Sequence, residues 1–408
     1  MRKFNKRMPK FVTKSVNCST KFSVKNNESL RCSGAQNVVV SNGLKAAEKV
    51  FTRKQTTVGD VCGICDFGDK VLYLSANGLY EAGAAPIKKA ELKADKQSLI
   101  CTDEQTNRLF VTTAEGTVRY NGDSDENTLM VSERMSSLVC FNGRVFGASG
   151  KRLYFTDTEQ TSFNQDDDGG NIEFASAVSC ICVCKGKLYV FADGVYTVTL
   201  DLDEDFFVVT KICESIPNVS FVAAVCDRLY CACGNEIFVF DGKFSKLSLS
   251  VGNIGDVCSM NGQNGMLIFA DDKQTVFFNP TTEAVTVYDF VAKSAALTSN
   301  ELMLCNGKDV VALQDNVEGG SYEGVFDFGY ASAKCLRKAV FVGGGKSVIT
   351  VKSGGRYVTV DLDGDGEAVS VPCYIVGRRF DVTVKLTAGA WLSSIAFVGT
   401  VFDEEVKL

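Results

Sequence analysis

The sequence holds no histidine in 408 residues. Ser-His-Asp and Cys-His nucleophilic catalysis, His-ligated zinc and the usual proton shuttle near neutral pH are therefore excluded. An enzyme built on this chain would have carboxylates, tyrosine, lysine and cysteine alone to work with, and the sequence nominates no catalytic, cofactor-binding or metal residue. Tryptophan occurs once, at Trp391. No run of about 18 apolar residues exists, so no transmembrane helix and no membrane role are expected. The N-terminus "MRKFNKRMPKF" lacks the apolar stretch and small-residue cleavage site of an export signal, which points to synthesis and assembly in the cytoplasm.

What is present is 45% hydrophobic residues, enough for one large core or two ordinary ones. Seventeen cysteines, an odd number spread along a long chain, read as reduced, buried thiols rather than a disulfide framework.

A repeat runs through the middle of the chain. "DKVLYLSANGLYEAG", "NRLFVTTAEGTVRYNG", "GRVFGASGKRLYFTD", "GKLYVFADGVYTVTLD", "DRLYCACGNEIFVFDG", "GMLIFADDKQTVFFNP" and "NELMLCNGKDVVALQD" are each a strand, a short polar turn and a second strand. Their apolar anchors, Leu72, Leu109, Val145, Leu188, Leu229, Leu267 and Leu302, are 35 to 43 residues apart. A further short strand precedes each hairpin and a more variable one follows. Four antiparallel strands at a period near 40 residues describe a β-propeller blade, and seven such units span roughly residues 55 to 315.

The strand ahead of each hairpin carries Cys65, Cys101, Cys140, Cys184, Cys226 and Cys258, where blades crowd near the axis and a small hydrophobe fits. "CGIC" at Cys62 to Cys65 and "CICVC" at Cys180 to Cys184 are half of a zinc site at most, with no second closely spaced pair to complete it. The Trp-Asp and Gly-His signatures of WD40 blades, the tryptophans of sialidase Asp boxes and the glycine pairs of Kelch repeats are all missing.

Upstream, "GAQNVVVSNGLKAAEKVF" sets a short β-branched run before the turn pair Asn42-Gly43. A propeller must close, so Asn37 to Val40 is a candidate outer or closing strand; the alternative is an edge strand of a separate small segment. Beyond residue 316 the pattern becomes about seven strands with cleaner alternation. Val358, Val360 and Leu362 face one way against Tyr357, Thr359 and Asp361, and Val382, Val384 and Leu386 point inward. The expectation is all-β: a basic arm over 1–33, a seven-bladed propeller over 34–315, and a C-terminal β-sandwich over 316–408.

Three local matches have bland readings. "DLDGDGE" places Asp361, Asp363, Asp365 and Gly366 as in an EF-hand loop, but the position of the bidentate Glu is Pro372, so a hairpin turn is expected. "GGGKS" at Gly343 to Ser347 has Val340 where a phosphate loop needs glycine, and reads as a turn. "NQDDDGG", residues 164–170, reads as a solvated loop tip. Arg2, Lys3, Lys6, Arg7, Lys10, Lys14, Lys21 and Lys25 precede the first acid, Glu28, in a chain of net charge −6. Such an arm suits docking on an acidic protein neighbour better than base stacking on DNA.

Together these segments resemble β-propeller virion proteins of tailed bacteriophages and prophages, of the packaged-DNA stabilization, head-completion or tail type. Asn37, Gly43 and Leu44 match an "N-x-x-v-x-x-G-x-L" segment that introduces the propeller. Gly377, Arg378, Phe380, Val382 and Val384 match a "G-R-x-F-x-v-x-v" strand pair that ends the sandwich. The proline-glycine usual after the first segment is replaced by "KAAEKVF". The resemblance implies a structural subunit of the virion at the head-tail connector or tail, in a homo-oligomeric, hexameric ring beside portal, connector or tail subunits, with DNA near the basic arm. Two other classes remain: a receptor- or glycan-binding tail module, and a carboxylate-based glycan hydrolase requiring an acid pair about 5 to 10 Å apart.

Overall fold

The computed structural model describes residues 12–17, 31–41, 43–103, 105–122, 126–201, 206–249, 254–298, 301–326 and 334–401. Among them, six separate four-stranded antiparallel sheets are arranged as a β-propeller. Five of these sheets lie in sequence, over residues 61–90, 100–131, 137–173, 180–213 and 221–246, and the sixth joins residues 294–315 to Lys49–Lys54. Within each of the five, strands pair in the order of the chain, because the turns leave no room for another order. Asn142-Gly143, Lys185-Gly186, Cys226-Asp227 and Asn264-Gly265 all have both central φ values positive. That is the turn whose twist matches a tight two-residue hairpin.

The second strand of each sheet is buried on both faces, as "KVLYLS" shows with five consecutive buried residues from Val71 to Ser75. Sheet stacks against sheet on either side, so the alternation of a half-exposed strand gives way to a continuous apolar run. All seven repeat anchors are at most 6% exposed. Leu72 and Leu74 pack with Leu109 and Val111 of the next sheet, and Phe191 packs with Leu229 and Cys231 further round. Each such side chain contributes about 1.5–3 kcal/mol by leaving water.

The ring closes where Val61, Ile64 and Tyr73 of the first sheet meet Ala296, Cys305 and Val310 of the last. The strand that completes the last sheet is Lys49–Lys54, antiparallel to Val310–Asp315. Its Phe51 is buried between Phe277 and Tyr288, with ring centroids 5.6 and 5.1 Å away. Of the outer and closing roles open to Asn37 to Val40, closing falls to Lys49–Lys54, two strands later. Val38–Val40 takes the outer role, paired to Val285–Tyr288. The stretch "KAAEKVF", a departure from the virion-protein pattern, contributes its Val50 and Phe51 to closure.

Strands Ser259–Gln263, Met266–Ala270, Thr275–Phe278 and Val285–Tyr288 repeat the one-two-three-four order but continue, through Val38–Val40 and Leu44–Ala46, into a 13-stranded sheet. Its far end is built on a long hairpin, Lys334–Ser353 and Arg356–Gly377. The second half of Lys334–Ser353 pairs with Phe380–Leu386, beyond which lie Gly320–Phe326 and Arg31–Gln36. The first half pairs instead with Trp391–Val401. Both halves face one core that contains Phe341, Ile349, Val360, Ile375, Val384 and Phe397.

Four of the seven strands expected here are therefore two bent ones. The bend sits at Gly343 to Gly345 against Gly364 and Gly366. Gly345 and Gly366 have φ of 75° and 100°, and a Cβ on Gly344 would lie 2.6 Å from the Trp391 indole nitrogen. Glycine lets the chain turn a corner there while the ladder continues. The alternation of Val358, Val360 and Leu362, and of Val382, Val384 and Leu386, is as expected. Within the expected N-terminal arm, Val12–Asn17 is a strand paired with Trp391–Val401, and Arg31–Gln36 pairs with Gly320–Phe326. The early basic residues Arg2 to Lys10, with Lys21 and Lys25, lie outside the described residues.

Candidate functional site

The thiols mostly lie where the repeat puts them, on first strands that lie side by side from sheet to sheet. Cys101 and Cys140, on neighbouring sheets, bring their sulfurs within 3.5 Å. Cys65 and Cys184 are buried, but Cys226 is exposed in a hairpin turn and Cys258 is exposed just ahead of its strand. The turn after Val225 arrives one residue early for Cys226 to be paired. The described cysteines form no disulfide with one another.

Burial, reinforced by the neighbouring Cys184 and Cys180 sulfurs, pushes the Cys182 thiol up to about 12. Burial likewise holds Cys180 and Cys305 at about 11. Thiols held protonated near neutral pH are poor nucleophiles and poor metal ligands. Among the described residues no group of three or more Cys, Asp or Glu is arranged to hold a metal ion.

The buried carboxylates are engaged in shaping turns. Asp157 accepts from the amides of Thr161 and Ser162 at 2.6 and 3.0 Å and from the Thr161 hydroxyl at 2.6 Å. Burial would raise its pKa, but these hydrogen bonds outweigh it and the pKa is lowered. The turn so formed inserts Gln160, fully buried, between two sheets. Its amide donates to Asp103 and to the Gly143 carbonyl, while its side-chain oxygen accepts from Thr106 at 3.0 Å. Arg119 donates to the Gln160 carbonyl at 2.9 Å. A polar network satisfied at each of these groups fixes one sheet against the next.

The loop 164–170, expected as a solvated tip, is tied down at Asp168. Buried Arg144 donates to the carbonyl of Asp168 at 2.6 Å and to its carboxylate at 2.8 Å. The same guanidinium stands about 6 Å from the rings of Phe155 and Phe207. Sequence reasoning missed this anchor because Arg144 follows a hairpin turn, where a cation normally reaches solvent.

A concave feature lies where the propeller meets the C-terminal sheet. A cleft of about 340 Å³ is lined by Ser33, Gly34, Ala35, Ile254, Asp272 and Lys273, among others. Its floor is Asp271, which accepts from the amides of Gly255, Lys273 and Gln274 at 2.8 to 2.9 Å. Gln36 donates to Asp289 at 2.5 Å beside it. The cleft offers hydrogen-bonding groups of both signs to a small polar ligand.

The same junction gathers the first sequence motif. Asn37, at φ 52°, donates to the Val287 carbonyl at 2.7 Å and accepts from Ala47 at 2.9 Å. A Cβ on Gly43 would lie 2.7 Å from the Leu392 carbonyl, and Leu44 is buried in the C-terminal core. Of the second motif, Gly377 ends the long hairpin, and Phe380, Val382 and Val384 are buried in that core. The motifs thus fall on the seam and on the core it joins. Asp361, Asp363, Asp365 and Gly366 lie within the strand Arg356–Gly377, not in a hairpin turn, and Gly343 to Ser347 lie within Lys334–Ser353. Trp391 packs over that glycine corner and is 38% exposed.

No protein-family model matches this sequence, and no curated protein matches it. Among solved structures, it is similar to the extracellular domain of BT4673 from B. thetaiotaomicron, at 12% identity and a TM-score of 0.50, over 76% of this chain and 47% of that one. PorZ, an essential bacterial surface component of the type-IX secretion system of Porphyromonas gingivalis, aligns at 13% identity and a TM-score of 0.48, over 76% of this chain and 46% of PorZ. The WD40 repeats of RRP9 align at 5% identity and a TM-score of 0.45, over 70% of this chain and 100% of theirs. The chain spans less than half the length of the BT4673 and PorZ structures. At these identities the likeness is one of fold alone.

Proposed function

We propose that this chain is a non-enzymatic structural subunit, a seven-bladed propeller joined rigidly to a C-terminal β-sandwich, that assembles into a ring with other proteins of a tailed-phage virion. The observation that carries the reading is the seam. Val38–Val40 pairs on one side with Val285–Tyr288 and on the other with Leu44–Ala46, whose Leu44 and Lys45 pair with Leu392 and Trp391. Hydrogen bonds run from one module into the other without a linker, which suits a part that transmits position rather than one that closes on a substrate.

The count of seven rests on residues 259–288, which repeat the blade order and whose first strand adjoins Phe221–Val225 on one side and Ser294–Leu297 on the other. The sandwich rests on the shared core between the two halves of the bent hairpin. The non-enzymatic role is supported by carboxylates occupied in their own turns and thiols held neutral. The virion, the connector or tail position and the neighbouring portal or tail subunits come from the sequence resemblance.

Analytical ultracentrifugation and negative-stain microscopy of the purified full chain test the proposal. The expected result is a closed ring of discrete mass, with the same chain found at matching copy number in purified particles by quantitative mass spectrometry. A monomer at every concentration, absent from particles, overturns it.

A further inference from the structure

The longest strand among the described residues, Arg356–Gly377, pairs along one side with Lys334–Ser353. Among the described residues no strand lies along its other side. A sheet edge of this length is a template for another chain unless something blocks it. Here the obstruction is selective. Asp361, Asp363, Asp365 and Glu367 are all exposed and alternate along the strand across the bend. Among the described residues none of the four is in an ion pair, and Lys346, opposite Asp363, is the one cation directly across the ladder from them.

That row decides which chain can add. A second copy of the same edge, laid antiparallel about its middle, would set Asp361 against Asp365 and Asp363 against itself, and like charges directly opposed destabilise a strand pair. A neutral apolar strand would leave the carboxylates beside it partly desolvated and uncompensated. An extended segment with lysine or arginine at alternate positions does neither. Exposed aromatics stand at both ends of the edge, with Tyr357 69% and Tyr374 71% exposed. Pro372, which has no N–H to give, marks where the usable edge stops.

We infer that the edge Val358–Val371 is a docking surface that takes an extended, lysine- or arginine-rich segment of a partner protein as an added β-strand, its cations paired with Asp361, Asp363, Asp365 and Glu367. Backbone pairing supplies affinity and the acidic row supplies selectivity. The inference stands on the edge and its charges, independent of any ring.

A fluorescein-labelled ten-residue peptide alternating lysine and valine tests it, titrated into the full chain and followed by fluorescence anisotropy at low salt. Binding is expected, with protection from hydrogen exchange appearing over residues 356–371. The same peptide with glutamate for lysine is expected not to bind, and one N-methylated at alternate backbone nitrogens, with charge intact, should bind at least tenfold more weakly. The triple substitution Asp361→Asn, Asp363→Asn, Asp365→Asn, on exposed positions whose fold is checked by circular dichroism, should weaken binding at least tenfold. Equal binding by the N-methylated peptide, protection mapping elsewhere, or no binding by the lysine peptide overturns the inference.

Discussion

Between Val61 and Lys246 every ladder joins strands that follow one another along the chain, whereas the C-terminal region pairs Val12 with Val401 and Arg31 with Val325. The propeller uses strands of three to eight residues and tight turns, and buries its second strands on both faces. The C-terminal region uses strands of 20 and 22 residues, bent at glycines, and cannot be completed until Val12–Asn17 and Trp391–Val401 have met. Local pairing needs little loop closure, while pairing across the chain costs it in full. The propeller's own exception is Lys49–Lys54, which must find Val310–Asp315.

That exception is the place to strike hardest. Phe51→Ala removes a buried ring wedged between Phe277 and Tyr288 and should cost about 3–5 kcal/mol in urea unfolding. Amide protection should fall first over residues 294–315. A loss below about 1 kcal/mol would mean that local pairing alone holds the ring.

The complementary lesion is Gly344→Val at the hairpin corner, where the new side chain meets the Trp391 indole. Overpacking of this kind costs about 1–3 kcal/mol. Hydrogen exchange should quicken over residues 334–401 and stay unchanged over 61–246. Equal quickening in both regions would show that the seam at Val38–Val40 has fused them into one cooperative unit, and the contrast between local and distant pairing would lose its meaning.

The same contrast explains what the sequence could be made to tell. The anchors from Leu72 to Leu302 were legible because a blade announces itself within about 40 residues, through turn chemistry and an apolar run. Inward residues such as Val360 and Val384 were legible through alternation. The corner was not: "GGGKS" and "DLDGDGE" look like turns in isolation, and only their mutual pairing, Gly345 opposite Gly364, makes them a bend in a continuing ladder. Closure by Lys49–Lys54 was missed for the same reason, since nothing within "KVFTRK" names a partner some 260 residues away. The cleft over Asp271 and the clasp of Arg144 on Asp168 arise from side chains of separate loops and leave no local pattern.

The smallest effect expected concerns the thiols, and it too separates the regions. Burial holds Cys180, Cys182 and Cys305 of the propeller at about 11 to 12, while the C-terminal core buries Cys373 alone among its described thiols. In the unfolded chain a thiol ionises near its ordinary value of about 8.5. A folded pKa raised above the unfolded one means that the stability owed to the neutral thiol is complete below that value and drains away as pH climbs toward 11 to 12. Each such thiol should cost about 1 kcal/mol for each pH unit gained within that window. Urea midpoints measured from pH 8 to 10.5 should therefore fall more steeply for the propeller's transition than for the C-terminal one, and Cys182→Ala should flatten the propeller slope by one thiol's share. The slope, not the absolute midpoint, carries the test, because the alanine also leaves a small void at every pH. Identical slopes in the parent and the variant would mean that the Cys182 sulfur meets water in the folded ring.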